Sequence, residues 1–243
     1  FCQSDKFYST YDATDELKDV FQHLFDSSMG PIGLGRDDFG LRHESLVVSK
    51  VIRVENGVMW SKYHHDKQSM ENVPQNAENA VLIQSCSAVP NSLSEVAGKK
   101  GKQFVKRMAL NSEKGETLLF HGAPSAGSIF QSGWIMPRDQ CTISTIAKYG
   151  FDERVSNMAG MLGAGIYFAD RASKADAYSG RVVDLHNTEP IASQKGTQRM
   201  ILSRVCLGAM WESNVSLQKM RRPPCVRGHF DPSLLKEQTM CGE

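Results

Sequence analysis

The residues best suited to chemistry lie between positions 160 and 179, in the sequence GMLGAGIYFADRASKADAYS. The glycines of this stretch permit positive φ angles and allow a flat ligand to approach the backbone. The apolar run 166–169 predicts a short strand, and Asp170, a common N-cap residue, predicts that a helix starts there. The resulting site would offer backbone amides and the hydroxyl groups of Tyr167, Ser173 and Tyr178.

The same stretch excludes one common nucleotide-binding fold. A Rossmann-type fold carries G-x-G-x-x-G after a strand and at the start of a helix. Here the glycines are spaced G-x-x-G-x-G, and the apolar run follows them. On these residues alone, a ligand site and an ordinary turn with packed tyrosines both stay open.

A second stretch favours the ligand site. Residues 118–122, LLFHG, form an apolar strand that ends in His-Gly. Together with GIYFA and the spacing S-K-x-x-x-Y behind it, this pair resembles the catalytic domain of the poly(ADP-ribose) polymerase family, in the diphtheria-toxin-like branch of the ADP-ribosyltransferases. The resemblance is dense over 118–180 and weaker over 199–228, with a further similar run at 46–70.

The resemblance implies a fold and a reaction. The fold is α+β, a mixed and largely antiparallel two-sheet ADP-ribosyltransferase fold with a nicotinamide cleft between the sheets. NAD is the substrate, and the bond between nicotinamide and ribose breaks through a transition state that resembles an oxocarbenium ion. ADP-ribose then passes to a protein side chain. The implied partners are protein acceptors and inhibitors that mimic nicotinamide.

The resemblance also assigns roles to single residues. Gly122 would bond the nicotinamide carboxamide through its backbone, where a Cβ would crowd the ring, and Ser173 would bond the same group. Tyr178 would stack on one face of the ring and Tyr167 would cover the other, while His121 would hold the adenosine-side ribose. The implied NAD-binding residues are His121, Gly122, Tyr167, Ser173 and Tyr178, with Ala169 and Lys174 lining the pocket floor.

Three residues would be catalytic by the same resemblance: His121, Tyr167 and Glu243. In the polymer-forming enzymes a glutamate stands directly before a C-terminal strand, and that strand would here follow Glu243. Glu243 is therefore either this glutamate or an ordinary tail residue, and transfer is poly or mono. Ala123 replaces the Ser or Thr that often follows His-Gly, which removes a hydroxyl contact worth about 0.5–1.5 kcal/mol. A catalytically silent module that binds NAD or ADP-ribose therefore stays open as the alternative.

The amino-acid composition bears on the class of protein, its partners, its metal content and its compartment. With 40% hydrophobic and 23% charged residues, the chain has the composition of a globular protein. A net charge of +1 gives no strong attraction to nucleic acid or to a membrane surface, so neither is an expected partner. The six cysteines contain no C-x-x-C spacing, so we expect no zinc or other metal site. Scattered thiols are typical of a reducing compartment, which points to the nucleus or the cytoplasm.

Hydrophobic spacing predicts the elements around these motifs. We expect helices within 1–30 and at 58–70, 103–110 and 125–133, and strands at 46–54 and 199–207. We divide the chain into an N-terminal helical segment with a loop, 1–40, and a catalytic domain, 41–243, whose C-terminal strand we expect to be truncated.

Several single residues carry further expectations. Thr14 or Asp15 is expected to cap the first helix, while Trp60 and Tyr63 are expected to be core residues. The basic patch 98–102 is expected to be a solvated loop within a surface insertion. Residues 134–148 are expected to form a loop, and His64 and His65 to lie on the surface.

Overall fold

The structure is a computed structural model that describes residues 7–28, 45–71, 98–111, 115–123, 142–176, 178–179, 199–207, 216–220, 225–226 and 229–230. The described residues divide into two compact units. One contains those within 1–72, 88–150 and 167–208, and the other contains those within 151–166 and 209–243. Across the described residues, no helix combines the length and the apolar character needed to cross a membrane.

The first unit mixes helices with strands, as expected for an α+β protein. Its elements are β1 (Tyr8–Asp12), α1 (Thr14–Ser28), β2 (Ile52–Asn56), α2 (Gly57–Glu71), α3 (Gly98–Met108), β3 (Glu116–Gly122), α4 (Thr142–Tyr149), α5 (Ala172–Asp176) and β4 (Met200–Cys206). The second unit contains a 3-10 turn (Glu153–Val155) and two short strands, β5 (Cys225–Val226) and β6 (His229–Phe230). Every ladder between the described strands is antiparallel.

The central pairing of the first unit joins β3 to β4. Glu116 pairs with Cys206 at one end of this ladder, and Gly122 pairs with Met200 at the other. Residues 116–120 are all buried, and three of the five, Leu118, Leu119 and Phe120, are apolar. The predicted strands at 118–122 and 199–207 are confirmed, and β3 begins two residues earlier than expected.

The core lies where α1 and α5 pack against β3. Leu24 of α1, Phe120 of β3 and Ala172 of α5 belong to one buried cluster. Phe25 meets Phe120 edge to face, with ring centroids 5.8 Å apart, a favoured aromatic geometry. Burying the Leu24 side chain contributes about 1.5–3 kcal/mol. Because α5 turns alanines toward β3, its backbone can approach the strand that carries His121 and Gly122.

The start of α1 differs slightly from the expectation. The helix begins at Thr14, and the Asp12 carboxylate accepts a hydrogen bond of 3.0 Å from the Thr14 N–H. The Thr14 hydroxyl accepts a bond of 3.0 Å from the Val51 N–H. Thr14 therefore ties the helix start to the neighbouring chain, while Asp12 supplies the oxygen that was expected from Thr14 or Asp15.

Other element predictions were wrong in their bounds or type. The strand expected at 46–54 is β2, at Ile52–Asn56, and its partner β1 was not predicted. Asn56 ends β2 and caps α2, because its side-chain oxygen accepts a bond of 3.1 Å from the Met59 N–H. The basic patch at 98–102 is helical within α3, and the loop expected at 134–148 contains the start of α4. The helix expected at 125–133 lies outside the described residues.

The aromatic residues of α2 also differ from the expectation. The Trp60 side chain was expected in the core, yet it is 49% exposed. The Arg204 guanidinium lies 4.9 Å from the Trp60 ring centroid, which is within cation–π range. His64 was expected on the surface, but it is half-buried, with its ring centroid 4.4 Å from that of Trp60. Trp60 therefore packs against the polar side chains of Arg204 and His64 and not in the apolar core.

A buried glutamate joins α2 to the β3–β4 ladder. The Glu116 side chain is fully buried, and Lys67 Nζ lies 3.0 Å from one of its oxygens. The carboxylate also accepts hydrogen bonds from the Tyr63 hydroxyl at 2.7 Å and from the Asn111 N–H at 2.7 Å. Burial alone would raise the pKa of the Glu116 carboxyl, but these three donors outweigh burial and lower that pKa to about 2. Burial raises the pKa of the Tyr63 hydroxyl, and its hydrogen bond to Glu116 raises that pKa further.

We expect Glu116→Gln to lower the free energy of unfolding by about 3 kcal/mol at pH 7. Because the folded-state pKa of Glu116 is depressed, its contribution is present above the unfolded value of 4.5 and is lost as pH falls through about 2. The difference between the wild type and the variant should therefore shrink between pH 4.5 and 2. Urea unfolding across this range measures it, with the exposed Glu153→Gln as control. A difference that does not change with pH would contradict the assignment.

Candidate active site

The candidate site is built at the end of β3 that is opposite Glu116. Phe120, directly before His121, exchanges two backbone hydrogen bonds of 2.8 Å with Ala169. This bridge is isolated, so the strand predicted at 166–169 is reduced to a single bridged residue. It nevertheless brings residues 167–169, the part of GIYFA that belongs to the first unit, beside the His-Gly pair.

His121 is oriented by the backbone of Tyr167. The ring is half-buried, and Nδ1 lies 2.8 Å from the Tyr167 carbonyl oxygen. Because a carbonyl oxygen only accepts, Nδ1 carries the proton and the neutral ring presents Nε2 as an acceptor. Burial lowers the pKa of His121 from its ordinary value, and the bond to Tyr167 opposes part of this shift. The geometry therefore favours a neutral histidine suited to accept a hydrogen bond.

Gly122 is pressed against the end of α5 and against Ser179, which follows that helix. A Cβ built on Gly122 would lie 1.8 Å from the Ala175 carbonyl oxygen and 2.8 Å from Ser179 Oγ. Ser179 is fully buried, and its hydroxyl donates a bond of 3.0 Å to the same carbonyl. Glycine was expected here because a side chain would crowd a nicotinamide ring. Close packing of the protein itself already requires it.

The short helix α5 supplies the next group of candidate residues. Ala172 and Ala175 face the core, while Lys174 is exposed and Ser173 is partly buried. The helix starts at Ala172, two residues after the expected position at Asp170. Small apolar residues at i and i+3 therefore fix which side of α5 meets β3.

Tyr178 follows α5 and presents an accessible ring. Its side chain is 48% exposed, and Lys174 Nζ lies 5.3 Å from the ring centroid. The Tyr178 N–H donates a bond of 3.0 Å to the Ala175 carbonyl, the atom that also abuts Gly122. Gly122, Tyr178 and Ser179 thus share one backbone oxygen as a common contact.

The structure brings most predicted site residues into the first unit. Tyr167 is 42% exposed and holds His121 through its backbone. Ser179 was not expected from the sequence, although it directly follows Tyr178. Glu243 lies outside the described residues. The residues that the first unit brings together are His121, Gly122, Tyr167, Ala169, Ser173, Lys174 and Tyr178.

Gly163 and Gly165 belong to the second unit, and the need for glycine differs between these two positions. Gly163 has φ +83°, and a Cβ there would lie 2.2 Å from the Met220 carbonyl oxygen. The Ala164 N–H donates a bond of 2.7 Å to that same oxygen. A Cβ on Gly165 would meet no atom within 4 Å. Gly163 is therefore required by packing, and Gly165 faces open space.

A model of the poly(ADP-ribose) polymerase catalytic domain matches residues 39–225, which is more than half of the chain. This chain belongs to the poly(ADP-ribose) polymerase family. Catalytic domains of this family use NAD⁺ as substrate and modify protein acceptors. The match includes His121 and the segment from Tyr167 to Tyr178, and it ends before Glu243. Among the residues that the structure describes, no group of three or more His, Cys, Asp or Glu side chains forms a metal site.

In a poly(ADP-ribose) polymerase domain, the state of His121 predicts how NAD affinity depends on pH. A neutral ring accepts a ribose hydroxyl, and an imidazolium does not. Because burial lowers the pKa of His121 from its ordinary value of 6.5, the proposed contact with NAD predicts that affinity falls toward acid pH with a midpoint below 6.5. Titrations of NAD binding at several pH values measure this. A midpoint at or above pH 6.5 would contradict it.

Proposed function

We propose that this protein is an NAD-dependent ADP-ribosyltransferase that cleaves the nicotinamide–ribose bond and transfers ADP-ribose to protein side chains. The observation that carries the proposal is the bond between His121 Nδ1 and the Tyr167 carbonyl, at 2.8 Å. It joins the His-Gly strand to Tyr167 of the GIYFA segment, while burial lowers the pKa of His121 and so favours the neutral ring. We also propose that residues 41–243 form the catalytic domain, with the two-sheet ADP-ribosyltransferase fold, and that 1–40 precede it.

In the proposed binding mode, NAD contacts both the His-Gly end of β3 and the segment from Tyr167 to Tyr178. The Gly122 backbone and the Ser173 hydroxyl hold the nicotinamide carboxamide, and Tyr178 stacks on the ring. Aromatic pairs of this kind are worth about 0.5–1.5 kcal/mol beyond their burial. His121 accepts a hydrogen bond at Nε2 from the adenosine-side ribose. Ala169, whose backbone pairs with that of Phe120, lines the floor of the pocket.

The reaction needs positioning more than a strong nucleophile. Nicotinamide on NAD⁺ is a cationic leaving group, and positive charge moves onto the ribose as the glycosidic bond lengthens. Holding both ends of this bond selects the geometry in which it breaks. Tyr167 covers the nicotinamide on the side away from Tyr178, and an acceptor side chain takes the sugar as nicotinamide leaves.

A silent NAD- or ADP-ribose-binding module is the second candidate, and Ala123 favours it. This residue is buried, and it follows His-Gly where a hydroxyl would otherwise reach NAD. Incubation with NAD⁺ labelled in its adenylate part separates the two functions. Covalent label on protein with release of nicotinamide supports transfer, and reversible binding without label supports the silent module. A His121→Ala protein is the matched control.

We further propose that Glu243 is the carboxylate that supports elongation. It would stabilise positive charge at the anomeric carbon and polarise the incoming ribose hydroxyl. Such a group acts mainly in the transition state. Glu243→Gln should bind NAD almost normally and fail to build polymer, while single-unit transfer continues. Gel analysis of labelled product measures chain length, and normal elongation would contradict the assignment.

A further inference from the structure

Helix α3 concentrates positive charge on the first unit. Its eleven residues, GKKGKQFVKRM, contain no acidic side chain. Phe104 and Met108 pack toward the core cluster, so this side of the helix is apolar. At about 100° per residue, the basic side chains fall on the remaining surface of the helix.

Two of the basic residues are neutralised by α1. Lys100 Nζ lies 3.0 Å from an Asp19 carboxylate oxygen, and the Arg107 guanidinium lies 2.7 Å from Glu16. Positions 100 and 107 are seven residues apart and therefore share a side of α3. These pairs use Glu16 and Asp19, two of the four acidic residues of α1.

The other lysines form a stripe along a different side of α3. Lys99, Lys102 and Lys106 are spaced i, i+3 and i+7, and all three are exposed. No ion pair reaches them from any residue within the described ranges. We call these three residues the lysine stripe. Its Cα atoms extend over about 10 Å of helix.

We propose that the lysine stripe binds the pyrophosphate backbone of an ADP-ribose polymer. Ammonium groups bind phosphate oxygens as point charges and form charge-assisted hydrogen bonds. The choice of ligand rests on the proposed transferase function. The stripe deepens that function, because it holds product away from the residues that bind NAD.

Two features favour this polymer over nucleic acid. Sites for single-stranded nucleic acid stack bases on aromatic side chains, whereas Phe104, the aromatic residue of α3, packs toward the core. The net charge of +1 also provides no long-range attraction to a distant polyanion. A weak site of three charges fills when its ligand is at high local concentration, as for a chain attached to the same molecule.

The test measures binding of purified ADP-ribose polymer by anisotropy over a range of salt concentrations. The variant Lys99→Gln/Lys106→Gln removes two stripe charges, and the control Lys100→Gln/Arg107→Gln removes two paired charges. Both change the net charge equally. The exposed ion pairs contribute little to stability, so the control should fold. We expect the stripe variant to bind about tenfold more weakly in low salt, with the slope of log K against log salt reduced by about 1.4.

Each result decides the question. Equal affinity in the two variants, or no binding by the wild type, overturns the lysine stripe as a polymer site. Single-stranded RNA of equal charge that binds as tightly as the polymer also overturns it, in favour of nucleic acid. The assay requires no turnover. An active transferase without polymer binding contradicts this inference alone, and polymer binding without transfer of label contradicts the proposed function alone.

Discussion

Gly122→Ala is expected to lower the free energy of unfolding by about 3 kcal/mol and to abolish NAD binding. The new Cβ would lie 1.8 Å from the Ala175 carbonyl oxygen, which is a backbone atom and cannot rotate away. Either β3 or α5 must therefore shift, and overpacking of this kind is costly. For a chain of this size the melting temperature should fall by about 6–12 °C. Calorimetry or thermal unfolding measures it.

Gly165→Ala is the matched control for this change. A Cβ at Gly165 would meet no atom within 4 Å, and its φ lies outside the left-handed region. The substitution adds the same methyl group and should alter stability by less than about 1 kcal/mol. Equal effects at the two glycines would show that the contact between Gly122 and Ala175 is not the cause.

Tyr178→Ala is expected to abolish thermal stabilisation by 3-aminobenzamide, which mimics nicotinamide. Removing an aromatic anchor typically costs about 2–4 kcal/mol of binding free energy, so affinity should fall by about 30-fold to 900-fold. A ligand present at about 100 times its Kd stabilises the folded state by about 2.7 kcal/mol. The wild type should therefore show a clear rise in melting temperature that the variant lacks.

The chain contains a close control for Tyr178. Tyr149 is 65% exposed, and Lys148 Nζ lies 5.3 Å from its ring centroid, the distance also found between Lys174 and Tyr178. Tyr149→Ala removes a similar exposed aromatic residue beside a lysine but lies on α4. It should leave the stabilisation unchanged. If Tyr178→Ala keeps full stabilisation, the amide binds elsewhere.

The sequence predicts those parts of this fold that depend on local pattern. The helical spacing of α1 and the apolar run of β3 predict these two elements correctly, because α1 buries one side of the helix and β3 is buried on both faces. The segment after Gly165 was misread as a strand. Its Ile, Tyr and Phe favour extended backbone, but a strand also needs a partner along its length. Within residues 166–169, Ala169 alone pairs with another residue that the structure describes.

The contacts that cannot be read from a single sequence join distant residues. Glu116 stands outside the apolar run at 118–122, and only the fold brings Tyr63 and Lys67 to it. The same limit applies to Gly122. The sequence marks it as a glycine beside a histidine, but the Ala175 carbonyl that demands it lies more than fifty residues away. The lysines of α3 likewise separate into paired and open sides only when α1 is placed.

A crystal structure of the protein with 3-aminobenzamide is the most direct test of whether Gly122, Ser173 and Tyr178 bind nicotinamide. We expect the ring to lie on the exposed face of Tyr178 and its carboxamide to bond the Gly122 backbone and the Ser173 hydroxyl. His121 Nδ1 should keep its contact with the Tyr167 carbonyl, now 2.8 Å. An amide bound away from both Gly122 and Tyr178, at a concentration that stabilises the protein, would contradict the assignment of this site to nicotinamide.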